Sequence, residues 1–141
     1  MYRHTPMDDL REFHDTFAPD QRDDDFLTKT ERRINLITEE YEEVSEALVH
    51  LEDTRLNLTS SSMFEARAEL AKELADLLYV VYGTAEELGI PLEEVFQAVH
   101  QSNMSKVWPD GTVKRNDFGK VLKPPTYTKP DLSFIHEHRV L

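Results

Sequence analysis

The feature that most constrains the fold is a long, uninterrupted helical period between about Thr28 and Glu52. Apolar side chains recur there at alternating steps of three and four, with no glycine or proline among them: Ile34, Ile37, Tyr41, Val44, Leu48 and Leu51. This spacing is typical of a helix that packs against another helix along most of its length. We therefore predict a helix of about seven turns that faces a partner helix.

Three further helices are predicted from similar signals. The longest runs from about Met63 to Leu88, and its expected buried stripe is Leu70, Leu74, Leu77, Leu78, Val81 and Ala85. A short helix from Met7 to Phe17 places Leu10, Phe13 and Phe17 on one face, and the two phenylalanines fit a core better than a ligand-lining surface. Pro91 opens a fourth helix that ends near Ser105.

The segment after the fourth helix is punctuated by proline and glycine, which predicts irregular structure. Asp110-Gly111 lies between Val107 and Val113 and is a hairpin-type turn signal, so a small β-ribbon is expected there. The predicted fold is an all-α bundle of about four to five helices in a single domain, 1–141. Its helical core covers about 7–106, and an irregular C-terminal arm covers about 107–141.

Composition excludes several classes of protein. The chain is 39% hydrophobic and 31% charged, which is ordinary for a globular domain, and it has no cysteine for disulfides or thiolate chemistry. No apolar run approaches the roughly 20 residues of a membrane span, so we expect a soluble, cytoplasmic protein. The net charge of -12 repels a phosphodiester backbone, which argues against nucleic acid as a partner.

Two pairs of carboxylates lie on the two long helices. Glu40 and Glu43 are three residues apart on the first, and Glu73 and Asp76 are three apart on the second. If these helices pack antiparallel, four carboxylates meet, and only cations can neutralise their repulsion. Oxygen ligands without His or Cys favour Mg²⁺, with Mn²⁺ as a substitute. The alternative from the residues alone is two solvated acidic faces; a di-iron bundle is excluded because Glu-x-x-His does not occur.

The acidic residues and their surroundings resemble a known family. Glu-Glu-x-x-Glu in LITEEYEEVSEAL, followed by Glu-x-x-Asp in ELAKELADLLYVVYGTAEELGIPLEEVFQAVHQSNMSKV, is similar to the all-α nucleoside triphosphate pyrophosphohydrolases of the MazG type. The tail DFGKVLKPPTYTKPDL resembles that of a MazG-like subgroup. The gap between the two motifs is at the long end for the family.

The resemblance implies Mg²⁺-dependent hydrolysis of a (deoxy)nucleoside triphosphate to the monophosphate and pyrophosphate, for nucleotide-pool control. By this resemblance the metal ligands are Glu39, Glu40, Glu43, Glu73 and Asp76, which hold about two to three ions. It also implies catalytic roles for Glu39 and Glu43, and substrate-binding roles for Asn103, Lys106, Lys123 and Tyr127.

Analogy favours a deoxynucleotide, with dGTP and dCTP as candidates. A dUTPase-like enzyme, a phosphoribosyl-ATP pyrophosphohydrolase and a non-catalytic helical interaction module remain the alternatives. The second long helix is apolar over a wide arc, which together with the resemblance favours a homodimer or homotetramer.

Overall fold

The computed structural model describes residues 4–137 and contains four α-helices within them: α1 Pro6–Phe17, α2 Phe26–Arg55, α3 Met63–Glu87 and α4 Leu92–Met104. Two short 3₁₀ helices cover Pro19–Asp23 and Ser133–Glu137. The predicted all-α class is confirmed, and every α-helix begins and ends within three residues of its expected bounds. No helix among the described residues is both long and apolar enough to cross a bilayer.

The chain divides into two compact units. The first extends to Leu88 and contains α1, α2 and α3, whereas the second begins at Gly89 and contains α4 and the segment after it. The prediction of one domain stays a prediction, and the two units are described separately below.

Helix boundaries in the first unit follow from local capping. Ser62 accepts a hydrogen bond from the Glu65 N–H at 3.2 Å, and the Glu65 carboxylate accepts one from the Ser62 N–H at 2.8 Å. Thr5 and Asp8 form the equivalent capping box at the start of α1. Asp25 caps α2 by accepting from the Thr28 N–H at 3.0 Å. These side chains satisfy backbone donors that have no partner inside the helix.

Helices α2 and α3 form an antiparallel pair, because residues early in one contact residues late in the other. Val44 and Ala47 are buried between them, and Ile37 and Leu51 are partly buried. This α2–α3 seam differs from the predicted stripes: Ile34, Tyr41, Leu48, Leu74 and Leu78 are 45–64% exposed. On α2 the exposed stripe of Ile34, Tyr41 and Leu48 lies about 60° around the helix from the covered stripe, because its members stand three residues before Ile37, Val44 and Leu51.

Helix α1 packs on α3 through Leu10, as expected, and also through His14, which was not expected. Leu10 is buried, but Phe13 and Phe17 are 40% and 70% exposed, so their assignment to the core was wrong. The Phe13 ring contacts the rings of Phe17 and Tyr79 at centroid distances of 4.8 and 5.4 Å. His14 takes the buried position instead, because its Nδ1 lies 2.5 Å from the Glu86 carboxylate.

The expected β-ribbon around Asp110-Gly111 does not form. The segment makes a tight turn, in which the Asp110 carboxylate accepts from the Thr112 N–H at 3.0 Å and Gly111 has a φ of 81°. The side chain therefore closes the turn locally instead of extending a ladder. Within the described residues, antiparallel pairing is limited to an isolated bridge between Arg115 and Val121.

A buried ion pair joins the first turns of α2 to the C-terminal end of α3. Arg33 and Glu87 contact each other with 8% of each side chain exposed, and Arg32 donates to the same carboxylate at 2.8 Å. Burial on its own raises the pKa of Glu87, but the two guanidinium groups outweigh it and hold that pKa below its usual value. The carboxylate is thus ionised in the folded protein at neutral pH.

We predict that Glu87→Gln lowers the free energy of unfolding by about 2–3 kcal/mol at neutral pH, because it leaves Arg33 buried without its counter-charge. The difference from the parent protein should shrink as the pH falls through the lowered pKa of Glu87, where the parent carboxylate is protonated too. Urea denaturation at several pH values measures both effects. Glu52→Gln, which removes an exposed partner of Arg55, is the control and should change stability little.

Candidate functional site

Three carboxylates converge midway along the α2–α3 seam. One oxygen each from Glu40 on α2 and from Glu73 and Asp76 on α3 lie within 4.8 Å of one another. The antiparallel pairing brings them together, since it places the middle of α2 opposite the middle of α3. Groups of this kind repel each other strongly when they are partly shielded from water.

Glu40 is the member of this acidic cluster whose carboxylate lacks a hydrogen-bond partner at one oxygen. Its Oε2 atom is buried and has no hydrogen-bond partner. Burial, followed by the charges of Asp76 and Glu39, raises the pKa of Glu40 above its usual value. A buried carboxylate oxygen without a partner costs free energy unless a cation or a proton reaches it.

The other two predicted ligands lie at the edge of the cluster. A hydrogen bond between the Glu43 and Glu73 carboxyl groups, followed by partial desolvation, raises the pKa of Glu43. Glu39 is exposed on α2, and it acts on Glu40 through its charge. The structure thus brings three of the five predicted ligands together, joins Glu43 to them through Glu73, and leaves Glu39 at the solvent side.

A divalent cation fits this donor set. The cluster offers only carboxylate oxygens, which are the ligands that Mg²⁺ and Mn²⁺ prefer, and the unpartnered Glu40 Oε2 is an acceptor that such an ion would satisfy. Glu40, Glu73 and Asp76 are the residues that could hold it.

One residue of the cluster was missed from the sequence. The Lys72 ammonium lies 2.9 Å from the Asp76 carboxylate and 3.1 Å from that of Glu73. These hydrogen bonds raise the pKa of Lys72, so it carries its full charge. Its position four residues before Asp76 is a sequence signal that could have identified it, because side chains at that spacing share a helix face.

The second unit gathers the four predicted substrate-binding residues. Lys106 donates to the Asn103 side-chain oxygen at 2.7 Å, and the Lys123 ammonium lies 4.6 Å from the centroid of the Tyr127 ring. A hydrogen bond from Ser102, together with the charges of Lys123 and Lys106, lowers the pKa of Tyr127. Asn103 and Lys106 on one side and Lys123 and Tyr127 on the other therefore form one basic group, although the two pairs lie about twenty residues apart in the chain.

Ser102 holds this basic group together and was not predicted from the sequence. Its side chain is buried, and its hydroxyl donates to the Thr128 carbonyl at 2.8 Å and contacts the Tyr127 hydroxyl at 3.3 Å. Ser102 therefore ties α4 to the tail that carries Tyr127. A buried hydroxyl with two partners is a positional constraint that sequence spacing alone does not reveal.

Most of the chain, including the acidic cluster, lies within a match to a known protein family. A family model described as phosphoribosyl-ATP pyrophosphohydrolase matches residues 10–103, a range that includes all five predicted acidic residues and Asn103. An uncharacterized protein of Acanthamoeba polyphaga mimivirus is 34% identical over 73 residues, which cover 52% of this chain and 29% of that protein. The chain thus matches less than a third of the length of this relative.

We predict that Mg²⁺ raises the melting temperature of the protein, because it binds the folded cluster and not the unfolded chain. At saturation it should add about 1–3 kcal/mol to the free energy of unfolding. Glu40→Gln should raise the melting temperature of the metal-free protein, since one repelling charge is lost, and should remove most of the Mg²⁺ response. Differential scanning fluorimetry in EDTA and in Mg²⁺ measures both changes. Glu46→Gln, an exposed acid on the same helix, should keep the full response.

Proposed function

Because the chain belongs to the phosphoribosyl-ATP pyrophosphohydrolase family, within the MazG-like all-α nucleoside triphosphate pyrophosphohydrolases, we propose that it hydrolyses (deoxy)nucleoside triphosphates to the monophosphate and pyrophosphate with Mg²⁺. Family membership supports pyrophosphohydrolase activity on a nucleotide. The single observation that carries the finer proposal is the convergence of Glu40, Glu73 and Asp76 around an unpartnered, buried carboxylate oxygen. A solvated acidic face would not bury such an atom.

In this proposal Glu39, Glu40, Glu43, Glu73 and Asp76 hold about two to three Mg²⁺ ions, for which Mn²⁺ can substitute. When bound, these ions polarise the phosphates, lower the pKa of a water molecule and offset the charge of the leaving pyrophosphate. The protein's part is to hold the carboxylates in place before the substrate arrives. The α2–α3 seam does this, since its packing fixes the backbone on both sides of the cluster.

Two carboxylates are assigned to proton transfer. Glu39 is exposed beside Glu40, so it can take a proton from an attacking water and pass it to solvent. Glu43 has a raised pKa and a hydrogen bond to Glu73, so it holds a proton more readily than an ordinary glutamate. A group whose pKa moves toward neutrality is better suited to general acid–base catalysis.

The basic group of the second unit is assigned to the substrate. Asn103, Lys106, Lys123 and Tyr127 offer two ammonium groups, an amide and a hydroxyl, which suit phosphate and sugar oxygens. The charge balance supports this assignment: residues 106–129 contain six basic and two acidic residues, whereas the chain as a whole carries -12. A concentration of positive charge in an acidic protein favours binding of a small anion.

Deoxynucleotides such as dGTP or dCTP are the first candidates, and the activity would serve nucleotide-pool control in the cytoplasm. Phosphoribosyl-ATP is the second candidate, because the matching family model carries that description. A dUTPase-like activity and a non-catalytic helical module complete the alternatives, and the experiment below separates all four.

We predict that incubation with a nucleotide panel and Mg²⁺ releases pyrophosphate and a monophosphate, resolved by anion-exchange chromatography. The panel should include the common (d)NTPs, dUTP, dUDP and phosphoribosyl-ATP; cleavage of dUDP would indicate a dUTPase-like enzyme. Asp76→Asn and Glu43→Ala should reduce kcat at least about 100-fold while the protein stays folded, because each removes charge that the metals need. Release of orthophosphate alone, or unchanged rates in both variants, would contradict the proposal.

We also propose that the first unit forms a homodimer, or a homotetramer built from such dimers, through its uncovered apolar stripe. Ile34, Tyr41 and Leu48 recur every seven residues on α2, and Leu74 and Leu78 continue the exposed apolar surface on α3. Exposed apolar side chains at this spacing are typical of helices that pack against a further pair of helices.

We predict that the protein has a solution mass of two or four times its 16.4 kDa chain mass, measured by light scattering after gel filtration. Leu48→Lys should shift the mass toward the monomer, because it places a charge in the centre of the apolar stripe. Val49→Lys is the matched control: Val49 is 62% exposed but points about 100° away around α2. Equal masses for both variants would rule out this stripe as the interface.

A further inference from the structure

The Lys72 ammonium forms ion pairs with two of the three converging carboxylates, those of Glu73 and Asp76. It contacts Asp76 at 2.9 Å and both oxygens of Glu73, at 3.1 and 3.2 Å. The Glu40 Oε2 atom has no hydrogen-bond partner, so Lys72 reaches this oxygen only through its charge, which acts to lower the pKa of Glu40 without offsetting the effect of burial and of the neighbouring acids. The ammonium therefore pairs directly with the α3 carboxylates and compensates the α2 carboxylates only in part.

The ammonium is held loosely enough to be replaced. Lys72 is 63% exposed, and its four-carbon stem reaches the carboxylates from the solvent side of α3. Exposed lysine–carboxylate pairs are weak because water screens them and because the long side chain loses rotamer freedom. A doubly charged ion that contacts Glu40 as well as Glu73 and Asp76 has both more charge and more ligands than the ammonium.

We propose that Lys72 is an internal counter-cation that competes with the divalent metal for Glu73 and Asp76, and that metal binding frees its ammonium for the phosphates of the substrate. The inference rests on the metal site of the proposed function. In the metal-free protein Lys72 reduces the repulsion between the two α3 carboxylates. In the metal-bound protein the same charge, carried on the same turn of α3, attracts the anionic substrate.

This role has a signature that a simple surface ion pair lacks. Removal of the ammonium should make Mg²⁺ bind more tightly, because the competitor is gone, yet should make a phosphate ligand bind more weakly. Both effects should shrink as ionic strength rises, since Lys72 is exposed and salt screens its charge. A residue that only stabilised α3 would change both affinities in the same direction.

The test is isothermal titration calorimetry of the full-length protein with Mg²⁺ alone, then with inorganic pyrophosphate at saturating Mg²⁺. For Lys72→Gln we expect Mg²⁺ to bind about three- to tenfold more tightly and pyrophosphate about three- to tenfold more weakly than in the parent protein. Lys72→Arg keeps the charge and should remain within about twofold of the parent in both titrations.

Lys29→Gln controls for the change in net charge. Lys29 lies on α2 eleven residues before Glu40, about 16 Å along the helix axis, and donates to the Arg22 carbonyl instead of to the cluster. It should leave both affinities near the parent values.

The outcomes separate this inference from the proposed function. Unchanged or weaker Mg²⁺ binding in Lys72→Gln, with normal binding in the parent, would overturn the competition. Tighter Mg²⁺ binding with unchanged pyrophosphate binding would overturn the transfer of the ammonium to phosphate. Absence of Mg²⁺ binding in the parent protein would overturn the metal site and this inference with it.

Discussion

The antiparallel packing of α2 on α3 determines both the stability of the first unit and the position of its chemistry. Polar side chains enter this seam at three levels. At one end Arg33 meets Glu87, and toward the other end His50 lies 2.5 Å from Glu69. Between them, Glu40 meets Glu73 and Asp76, so acid faces acid. Two levels pair a carboxylate with a basic side chain, whereas the middle level lacks a basic partner on the facing helix.

The repulsion among the carboxylates in the middle of the seam is unfavourable, and packing along the rest of the seam compensates for it. Glu40 and Glu43 both have raised pKa values, which means that the folded structure disfavours the ionised forms of these two carboxyl groups. Packing around Val44 and Ala47 and the buried ion pair of Arg33 with Glu87 stabilise the helix pair strongly enough to tolerate this. Conflicts of this kind in an otherwise consistent fold are expected where a protein binds or reacts.

The separation of charge along the chain gives the two units different chemistry. The first unit presents carboxylates to cations, while Lys106, Lys123 and Tyr127 in the second offer donors to anions. A nucleoside triphosphate bound to metal carries both kinds of group, since its phosphates are anionic and its ions are cationic. The proposed function uses both sets of side chains, each within its own unit: the carboxylates for the ions and the basic group for the phosphates.

The sequence by itself determined the helices, because their signals are local: the period of Val44 and its neighbours and the caps at Asp25 and Ser62 act within a few residues. It also determined the residue types of the acidic cluster. Only the tertiary structure decided which apolar stripe of α2 is buried, because two stripes about 60° apart are nearly equivalent in one helix, and contact with α3 selects between them. The same contact brought Glu40 close to Glu73 and Asp76, which depends on packing that spacing along one chain does not specify.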